Sequence, residues 1–244
     1  MTLIIIKPEI YTNPYSYQFD GINEFIRTNS NLRFDWNKPF SICFLFRPVT
    51  NTFGIFGNFN NGTAPSCFNV RYSFGYFECV AQAKRATNRM FAGNNTSSNS
   101  VGNWTFLTMA SPGDGVAINC KWYINGIDRN SYSYENTLKE GSMAGGSFCL
   151  LGRSFEEAAS GFYSNGYLNQ LYVCQGALSL AQHQTQYNNG KPLNPRRIKD
   201  LIYCFDGKQD TFDGTNYNVI DYCSNIVGRT VNMEEGDRVL HSPY

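Results

Sequence analysis

The sequence predicts an all-β protein, a two-sheet antiparallel sandwich with one short helix. Short apolar or alternating segments, separated by turn signals, recur along most of the 244 residues. One segment, which begins after Ser179, has the end signals of a helix. No linker rich in Pro, Gly or Ser and no block of like charge interrupts the chain. Residues 1–244 are therefore predicted to form a single domain.

The helix is predicted immediately after a clear strand. Residues 167–173 alternate as a half-buried strand does. Ser179 and Gln182 then form a capping-box pattern, which predicts a helix over residues 180–188. The Asn-Gly pair that follows tolerates a left-handed ending, and Pro192 prevents continuation.

The other elements are predicted as short strands. Residues 40–48 are apolar on both faces, as expected of a central strand. Asn125-Gly126 is the strongest hairpin signal, because a type I′ turn needs positive φ at both central residues. Residues 94–102 have no periodicity and are predicted as a polar loop. The remaining predicted strands are residues 3–6, 15–21, 25–26, 54–59, 68–74, 76–82, 104–110, 117–124 and 148–153.

Charge and hydropathy limit the kinds of partner that the sequence predicts. The formal net charge is +1, which gives no electrostatic basis for binding nucleic acid or a membrane surface. No apolar run approaches the roughly 20 residues of a membrane span. The apolar residues 3–6 are followed at once by Lys7-Pro8, unlike a secretory signal. We therefore expect synthesis in a cytosol.

The eight cysteines are interpreted as thiols rather than as a disulfide framework. None has C-x-x-C spacing, and most lie inside apolar strand patterns, where cysteine behaves as a small buried hydrophobe. A cytosol would also keep them reduced. A zinc site is less favoured still, because only His183 and His241 could join the cysteines.

Six motifs in order resemble the laminin-G-like, concanavalin A-like family, whose fold is a jelly roll. The resemblance covers residues 15–191 and implies a jelly-roll sandwich for that core. The motifs are F-D-G-I-N-E-F-I (19–26), F-S-I-C-F-L-F-R-P (40–48), W-T-F-L-T-M-A (104–110), K-W-Y-I-N-G (121–126), F-C-L-L-G-R (148–153) and G-Y-L-N-Q-L-Y (166–172).

The C-terminal segment, residues 192–244, resembles a run that precedes the first strand in many family members. Its motifs lie in residues 201–207, 221–225 and 228–233. One interpretation is that the segment begins a second repeat that remains incomplete, but such a repeat would expose unpaired strand edges. We therefore expect the segment to add strands to the same sandwich. Family members encoded by bacteriophages often show this arrangement, with a similar ending to T-V-N-M-E-E-G-D.

The acids do not show a catalytic arrangement. A glycoside hydrolase on this fold needs two carboxylates that flank the scissile bond. Glu78 is alone in its strand, Glu156 and Glu157 would face opposite sides, and Glu235 and Asp237 are placed in a polar tail. His183 is interpreted as structural. No catalytic residue is predicted, and the acids fall mostly in predicted turns: Asp20, Asp114, Asp128, Asp206, Asp210 and Asp213.

Calcium is the one metal that the resemblance suggests. Asp20 and Asn23 match the first calcium loop of many family members. Asn169-Gln170, however, stand where the family has I-D-E, so two charges are lost. No metal and no cofactor are predicted.

Carbohydrate recognition would use amides for hydroxyl groups and aromatic faces for sugar rings. The candidate loops are residues 58–61, Asn94-Asn95 and Asn103-Trp104. Loops of sandwiches are rich in Asn for turn chemistry alone, so this pattern also has an ordinary structural interpretation.

The predicted function is that of a non-enzymatic bacteriophage structural protein, a capsid decoration or a tail or head fibre component. It would serve particle assembly and surface adhesion, be made in the host cytoplasm and reside in the virion in multiple copies. Its partners would be other capsid or tail proteins and host surface glycans. The alternative is a carbohydrate-binding, lectin-like module, and a glycoside hydrolase comes third.

Overall fold

Two antiparallel β-sheets enclose an aromatic core in the computed structural model. It describes residues 13–29, 38–59, 67–84, 88–94, 100–129, 131–136, 148–153, 163–224 and 226–240. The strands are β1 (Tyr15–Asp20), β2 (Phe25–Thr28), β3 (Phe40–Pro48), β4 (Thr52–Phe59), β5 (Cys67–Ser73), β6 (Tyr76–Lys84), β7 (Asn88–Asn94), β8 (Thr105–Ser111), β9 (Lys121–Ile124), β10 (Ile127–Arg129), β11 (Ser131–Asn136), β12 (Phe148–Leu151), β13 (Asn165–Gln175), β14 (Leu201–Phe205), β15 (Thr211–Phe212), β16 (Tyr217–Ile220), β17 (Val227–Val231) and β18 (Arg238–Leu240).

The strand order is that of a two-layer sandwich. The first sheet runs β10-β9-β8-β3-β13-β1-β18, and β14 also pairs with β13. The second sheet runs β11-β7-β6-β5-β4-β12-β2-β17-β16-β15. Every pairing in both sheets is antiparallel, as predicted.

The core lies between the sheets and is built from alternating side chains. Phe44 and Phe46 of β3 point into it, whereas Leu45 between them belongs to a separate cluster on the outer face. The ring of Phe46 lies 5.3 Å from that of Phe53 and 5.7 Å from that of Phe77, two residues of the other sheet. Burying one such ring contributes about 1.5–3 kcal/mol.

The helix forms as predicted. It is α1, Leu180–Tyr187. The Ser179 hydroxyl accepts a hydrogen bond from the Gln182 amide at 3.3 Å, and the Gln182 side chain accepts one from the Ser179 amide at 2.8 Å, which completes the capping box. Asn188 ends the helix with a φ of 44°. The helix covers part of the outer face of the first sheet, where Phe106 stacks on His183 at 5.1 Å.

Several boundaries differ from the sequence prediction. Residues 117–119 form a 3₁₀ turn, so the strand predicted over 117–124 begins only at Lys121. β7 and β11 were not predicted at all. Their sequences, N-R-M-F-A-G-N and S-Y-S-Y-E-N, are rich in the polar residues that also mark loops. The predicted strand over residues 3–6 lies outside the described residues.

The C-terminal segment adds strands to both sheets. β14 pairs with β13 and β18 with β1 in the first sheet. β17 pairs with β2 in the second sheet, and β16 extends it. The β14, β17 and β18 pairings join the end of the chain to its beginning or middle, and the segment forms one edge of each sheet.

Two turn acids of this segment turn out to be buried anchors rather than solvated turn residues. Asp206 is 2% exposed and forms a two-pronged ion pair with Arg196, at 2.8 and 2.9 Å. Asp210 is 7% exposed and accepts hydrogen bonds from the Tyr17 hydroxyl and the Ile220 amide. Burial raises the pKa of Asp210 to about 6.

The six cysteines whose side chains the structure describes are free thiols, as predicted. Five are buried, and Cys223 is exposed. Burial raises the pKa of Cys120 to about 12, which leaves that thiol protonated and inert at neutral pH. The buried five are Cys43, Cys79, Cys120, Cys174 and Cys204.

α1 has only eight residues, and no described helix is long and apolar enough to cross a membrane.

Candidate functional site

The structure places the three candidate loops predicted from the sequence in different environments. Asn94 is buried, and its side-chain oxygen accepts a hydrogen bond from the Phe77 amide at 2.5 Å, so it holds the β6–β7 pair together. Asn58 lies within β4, and residues 60, 61 and 95 lie outside the described residues. Asn103-Trp104 is the pair that reaches a surface with further recognition groups. Asn103 is exposed there, and its amide donates to the Val101 carbonyl at 3.2 Å.

Trp104 is part of an aromatic cluster on the outer face of the first sheet, near one end of the sandwich. Its ring lies 6.4 Å from the ring of Tyr167, with the two planes tilted by 47°. The guanidinium of Arg47 lies 5.6 Å from the Tyr167 centroid, within cation–π range. All three side chains are half-buried. We call Trp104, Tyr167 and Arg47, together with Gln170, the platform.

Strand register explains why these side chains share one face. Arg47 and Tyr167 are direct partners in the β3–β13 ladder. Their neighbours Phe46 and Leu168 point into the core, so Arg47 and Tyr167 must point the other way. Trp104 directly precedes β8, which pairs with β3 on the other side.

A β-bulge brings Gln170 to the same face. In a regular strand, residues two apart point to the same face, so Gln170 would point into the core as Leu168 does. The register shifts between Leu168 and Gln170, however, and Gln170 pairs with Leu45, an outer-face residue. The extra residue, Asn169, takes up the shift, as is typical of bulges that re-aim a side chain.

Gln170 has no hydrogen-bond partner although it is buried. It is 1% exposed, and neither its side-chain oxygen nor its nitrogen forms a hydrogen bond. An unpaired buried polar group costs about 1–3 kcal/mol, and folded proteins contain few of them. Gln170 lies on the same outer face as the two aromatic rings and the guanidinium of the platform, and its amide forms no hydrogen bond within the protein.

In the loop that matches the family's first calcium loop, the side chains have structural roles. The Asp20 carboxylate accepts hydrogen bonds from the Ile22 and Asn23 amides, at 2.7 and 3.2 Å, and so closes the β1–β2 turn. Glu24 is buried beside it, and its pKa rises to about 7, first of all because of that burial. Among the described residues, no group of three or more His, Cys, Asp and Glu side chains could hold a metal ion.

Asn169 is likewise committed to the backbone. Its amide nitrogen donates to the carbonyls of Asn13 and Tyr15, at 3.1 and 2.8 Å. Asp237, which was placed in a polar tail, instead accepts from the Glu234 amide in a 3₁₀ turn, Glu235–Asp237. Asn169 thus ties β13 to the segment that leads into β1, whereas Asp237 caps a local turn.

Comparison with solved structures settles the architecture. The fold is a jelly-roll sandwich. A structure of a "putative carbohydrate binding protein" from Bacteroides ovatus matches 90% of this chain with a TM-score of 0.60 and 14% identity. The heptameric SAP-like pentraxin from Limulus polyphemus matches 92% of this chain, and 99% of its own, with a TM-score of 0.55 and 18% identity.

This chain spans 58% of the length of the Bacteroides ovatus protein. No protein-family profile and no curated protein sequence matches it. At these identities the likeness concerns the fold, and any function has to be argued from the chain's own residues.

Sequence reasoning found Trp104 but missed Tyr167 and Arg47 as its neighbours. The alternation predicted for residues 167–173 put Tyr167 on the same apolar face as Leu171 and Val173, and this was wrong. The register shift between Leu168 and Gln170 places Tyr167 on the opposite, outer face. One extra residue in a strand has no fixed sequence pattern, so the sequence did not indicate the bulge.

Proposed function

We propose that this protein binds carbohydrate through the platform. The observation that carries the proposal is the pair of half-buried rings, Trp104 and Tyr167, on one outer face with the Arg47 guanidinium and the unpartnered amide of Gln170. Sugars present apolar C–H faces next to hydroxyl groups. A site that combines aromatic rings with an amide matches both kinds of surface, because an amide offers two N–H donors and a carbonyl acceptor.

The platform favours a sugar over other small ligands because of its balance of groups. The rings supply apolar area at a low cost in conformational entropy, and each is half-buried and so already oriented. The Arg47 Nε donates to the Gly102 carbonyl at 2.8 Å, which fixes the guanidinium beside Tyr167. A preoriented site loses less freedom on binding.

The fold supports this proposal without establishing it. One of the two structural matches described above carries a carbohydrate-binding description, and this chain shares its architecture over 90% of its own length. Carbohydrate binding was the alternative in the sequence prediction, and it now has better support than the virion role.

The comparisons give no support to a bacteriophage virion. That placement is a separate proposal, and it is compatible with the platform, since a decoration or fibre protein that binds glycans would display such a site in several copies. Mass spectrometry of purified particles tests it: the protein should occur in stoichiometric amounts, and its absence from intact particles would rule the placement out.

A glycan array followed by titration tests carbohydrate binding. The wild-type protein should bind a defined subset of glycans, and Trp104→Ala should weaken the affinity for them about tenfold or more, the effect of losing roughly 1.4 kcal/mol. Tyr76→Ala is the matched control, because Tyr76 is also a surface aromatic residue, 38% exposed, but belongs to the second sheet. If the wild-type protein binds no glycan on the array, or if wild type and Trp104→Ala bind with equal affinity, the proposal is refuted.

A further inference from the structure

Exposed apolar side chains gather at one end of the sandwich, beside the platform. Ile22 is 71% exposed, Val49 47% and Phe74 73%. Each lies in a turn between two strands: Ile22 follows β1, Val49 follows β3 and Phe74 follows β5. Single apolar residues on a surface are ordinary, whereas a contiguous group of them is a feature of contact sites. We call these three side chains the crest.

Backbone contacts join the turns that carry the crest. The Val49 amide donates to the Asn165 carbonyl at 2.8 Å. Asn165 also contacts the β1–β2 turn, where a Cβ atom on Gly21 would come within 2.8 Å of the Asn165 Cβ. On the other side, the Phe74 amide donates to the Asn51 carbonyl at 2.7 Å. Val49 thus lies between the β1–β2 turn and Phe74.

The crest adjoins the platform through the turn that follows β3. Val49 is two residues beyond Arg47, and the loop that carries Trp104 is hydrogen-bonded to the same turn. The chain from Arg47 to Asn51 spans at most about 14 Å. Because Asn51 is bonded to Phe74, the platform and Phe74 belong to one surface. That surface is longer than a single sugar ring.

Phe74 is an unusual residue for its position. Its φ of 49° lies in the left-handed region, where a bulky residue is an outlier and where Asn, Asp or Gly are preferred in hairpin turns. The ring is not buried, so packing does not compensate for the strain. Strained residues that persist in a fold cluster at functional sites. Strain and exposure together point to a contact that Phe74 makes with a ligand.

The surroundings of the crest favour a small, uncharged ligand. The turns of the crest and the loop before β8 contain no charged residue: residues 21–23, 48–52, 73–76 and 101–104. They therefore give no basis for binding an anionic surface. Asn51 and Asn103 add exposed amides, so the mixture of ring and amide found on the platform continues here. Three apolar side chains are also far fewer than the about 20–30 residues a side of a stable protein interface.

We propose that the platform and the crest together bind one linear, uncharged oligosaccharide, with Phe74 as the contact for the sugars farthest from Trp104. This inference rests on the proposed function, because the platform holds the first sugars, and it adds the length of the ligand. The face of the Phe74 ring offers apolar area to the C–H face of a sugar. A disaccharide on the platform would not reach Phe74, whereas a longer chain would gain affinity from it.

Calorimetric titration of the full-length protein tests the extended site. The probes are linear oligosaccharides of glucose, of mannose and of N-acetylglucosamine, each from the disaccharide to the hexasaccharide. Wild type is compared with Phe74→Ala, Trp104→Ala and the control Tyr76→Ala. Tyr76 is an exposed aromatic residue of the same hairpin, but it faces the outer side of the second sheet, because Phe77 after it belongs to the core.

Wild type should bind the hexasaccharide of at least one series about tenfold more tightly than the disaccharide. Phe74→Ala should abolish that gain and leave the affinity for the disaccharide unchanged, whereas Tyr76→Ala should alter neither. Equal hexasaccharide affinities of wild type and Phe74→Ala, or no binding of any series, would overturn the extended site. Failure of the platform is seen separately, as a Trp104→Ala variant that binds the disaccharide as well as wild type does.

Sedimentation velocity of the same proteins examines the other occupant of the crest, a second copy of the chain. Wild type and Phe74→Ala should sediment as the same species over a wide range of concentrations. A larger species that forms with rising concentration in wild type but not in Phe74→Ala would assign the crest to self-association and overturn the proposal.

Discussion

The imidazole Nδ1 of His183 lies 2.9 Å from the hydroxyl oxygen of Thr108, under α1 and against the outer face of the first sheet. The other ring nitrogen, Nε2, accepts a hydrogen bond from the Gly126 amide at 3.0 Å. Nε2 can accept only when it carries no proton, so the proton of the neutral ring is on Nδ1 and is donated to Thr108. His183 thus pins the helix to the 125–126 hairpin and is a structural residue, as the sequence predicted.

This geometry predicts acid sensitivity. Burial lowers the pKa of His183 from 6.5 to about 4, so the unfolded chain binds the extra proton first as the pH falls. The stabilising contribution is therefore complete above the unfolded pKa and is lost as the pH falls through the folded one. Between about pH 7 and pH 4 the protein should lose up to about 3 kcal/mol through this residue.

His183→Gln isolates that contribution in denaturant titrations at several pH values. Glutamine can both donate and accept but does not titrate in this range. Asp210 also titrates in this window with the opposite sign, since its folded pKa is raised, but it does so in both proteins and cancels in their difference. The free-energy difference between the two proteins should narrow as the pH falls. Parallel pH profiles would show that His183 does not carry the effect.

Arg196→Met should destabilise the protein strongly. It removes the two-pronged partner of Asp206, which is 2% exposed, and leaves a buried carboxylate without its counter-charge. Losing one partner of a buried ion pair costs about 3–5 kcal/mol. The double variant Arg196→Met/Asp206→Asn should recover much of this loss, whereas the exposed control Lys199→Met should change stability by about 0.5 kcal/mol at most. Equal effects of Arg196→Met and Lys199→Met in urea unfolding would contradict the anchoring role.

Phe74→Asn should stabilise the β5–β6 hairpin. Phe74 was predicted as the end of a strand, but it occupies the turn with a φ of 49° and is 73% exposed. A bulky residue in the left-handed region costs about 1–2 kcal/mol, which asparagine largely avoids. The midpoint of thermal unfolding should rise for Phe74→Asn but not for Phe74→Ala, which keeps the strain. A rise of the same size in both variants would point to removal of the exposed ring rather than relief of the backbone.

Elements with a clear hydrophobic pattern or with strong local end signals could be predicted from the sequence. The capping box at Ser179 and the Asn125-Gly126 turn are set by a few adjacent residues, and both formed as expected, the turn with φ values of 50° and 81°. β3, which carries apolar residues on both faces, was predicted with its observed ends. Local chemistry decides these features, so tertiary contacts had little to change.

Features that depend on contacts between distant residues could not be predicted. The burial of Asp206 and Asp210 follows from how the C-terminal segment packs on Tyr17 and Arg196. Both acids look like ordinary turn residues in the sequence. The platform is similar, because its members come from β3, β13 and the loop before β8 and meet only through strand register.

Gln170→Met should make the protein more stable and a poorer carbohydrate binder at the same time. The amide of Gln170 is buried without a hydrogen bond, and replacing it with an apolar side chain of similar length removes that penalty. The free energy of unfolding should rise by about 1–2 kcal/mol, within the range for an unsatisfied buried group. The affinity for the glycans identified on the array should fall about tenfold.

The two readouts together separate a ligand-binding amide from a merely tolerated one. Gln18→Met is the control for stability, because Gln18 lies opposite Tyr167 on β1 but is exposed, so its replacement should leave the unfolding free energy nearly unchanged. A structural role for the Gln170 amide predicts the opposite outcome, a loss of stability in Gln170→Met. Higher stability with full affinity would mean that the amide is orphaned but takes no part in binding. Because improved stability excludes unfolding as the cause of weaker binding, the combination of a gain and a loss in one variant is the result that supports the platform.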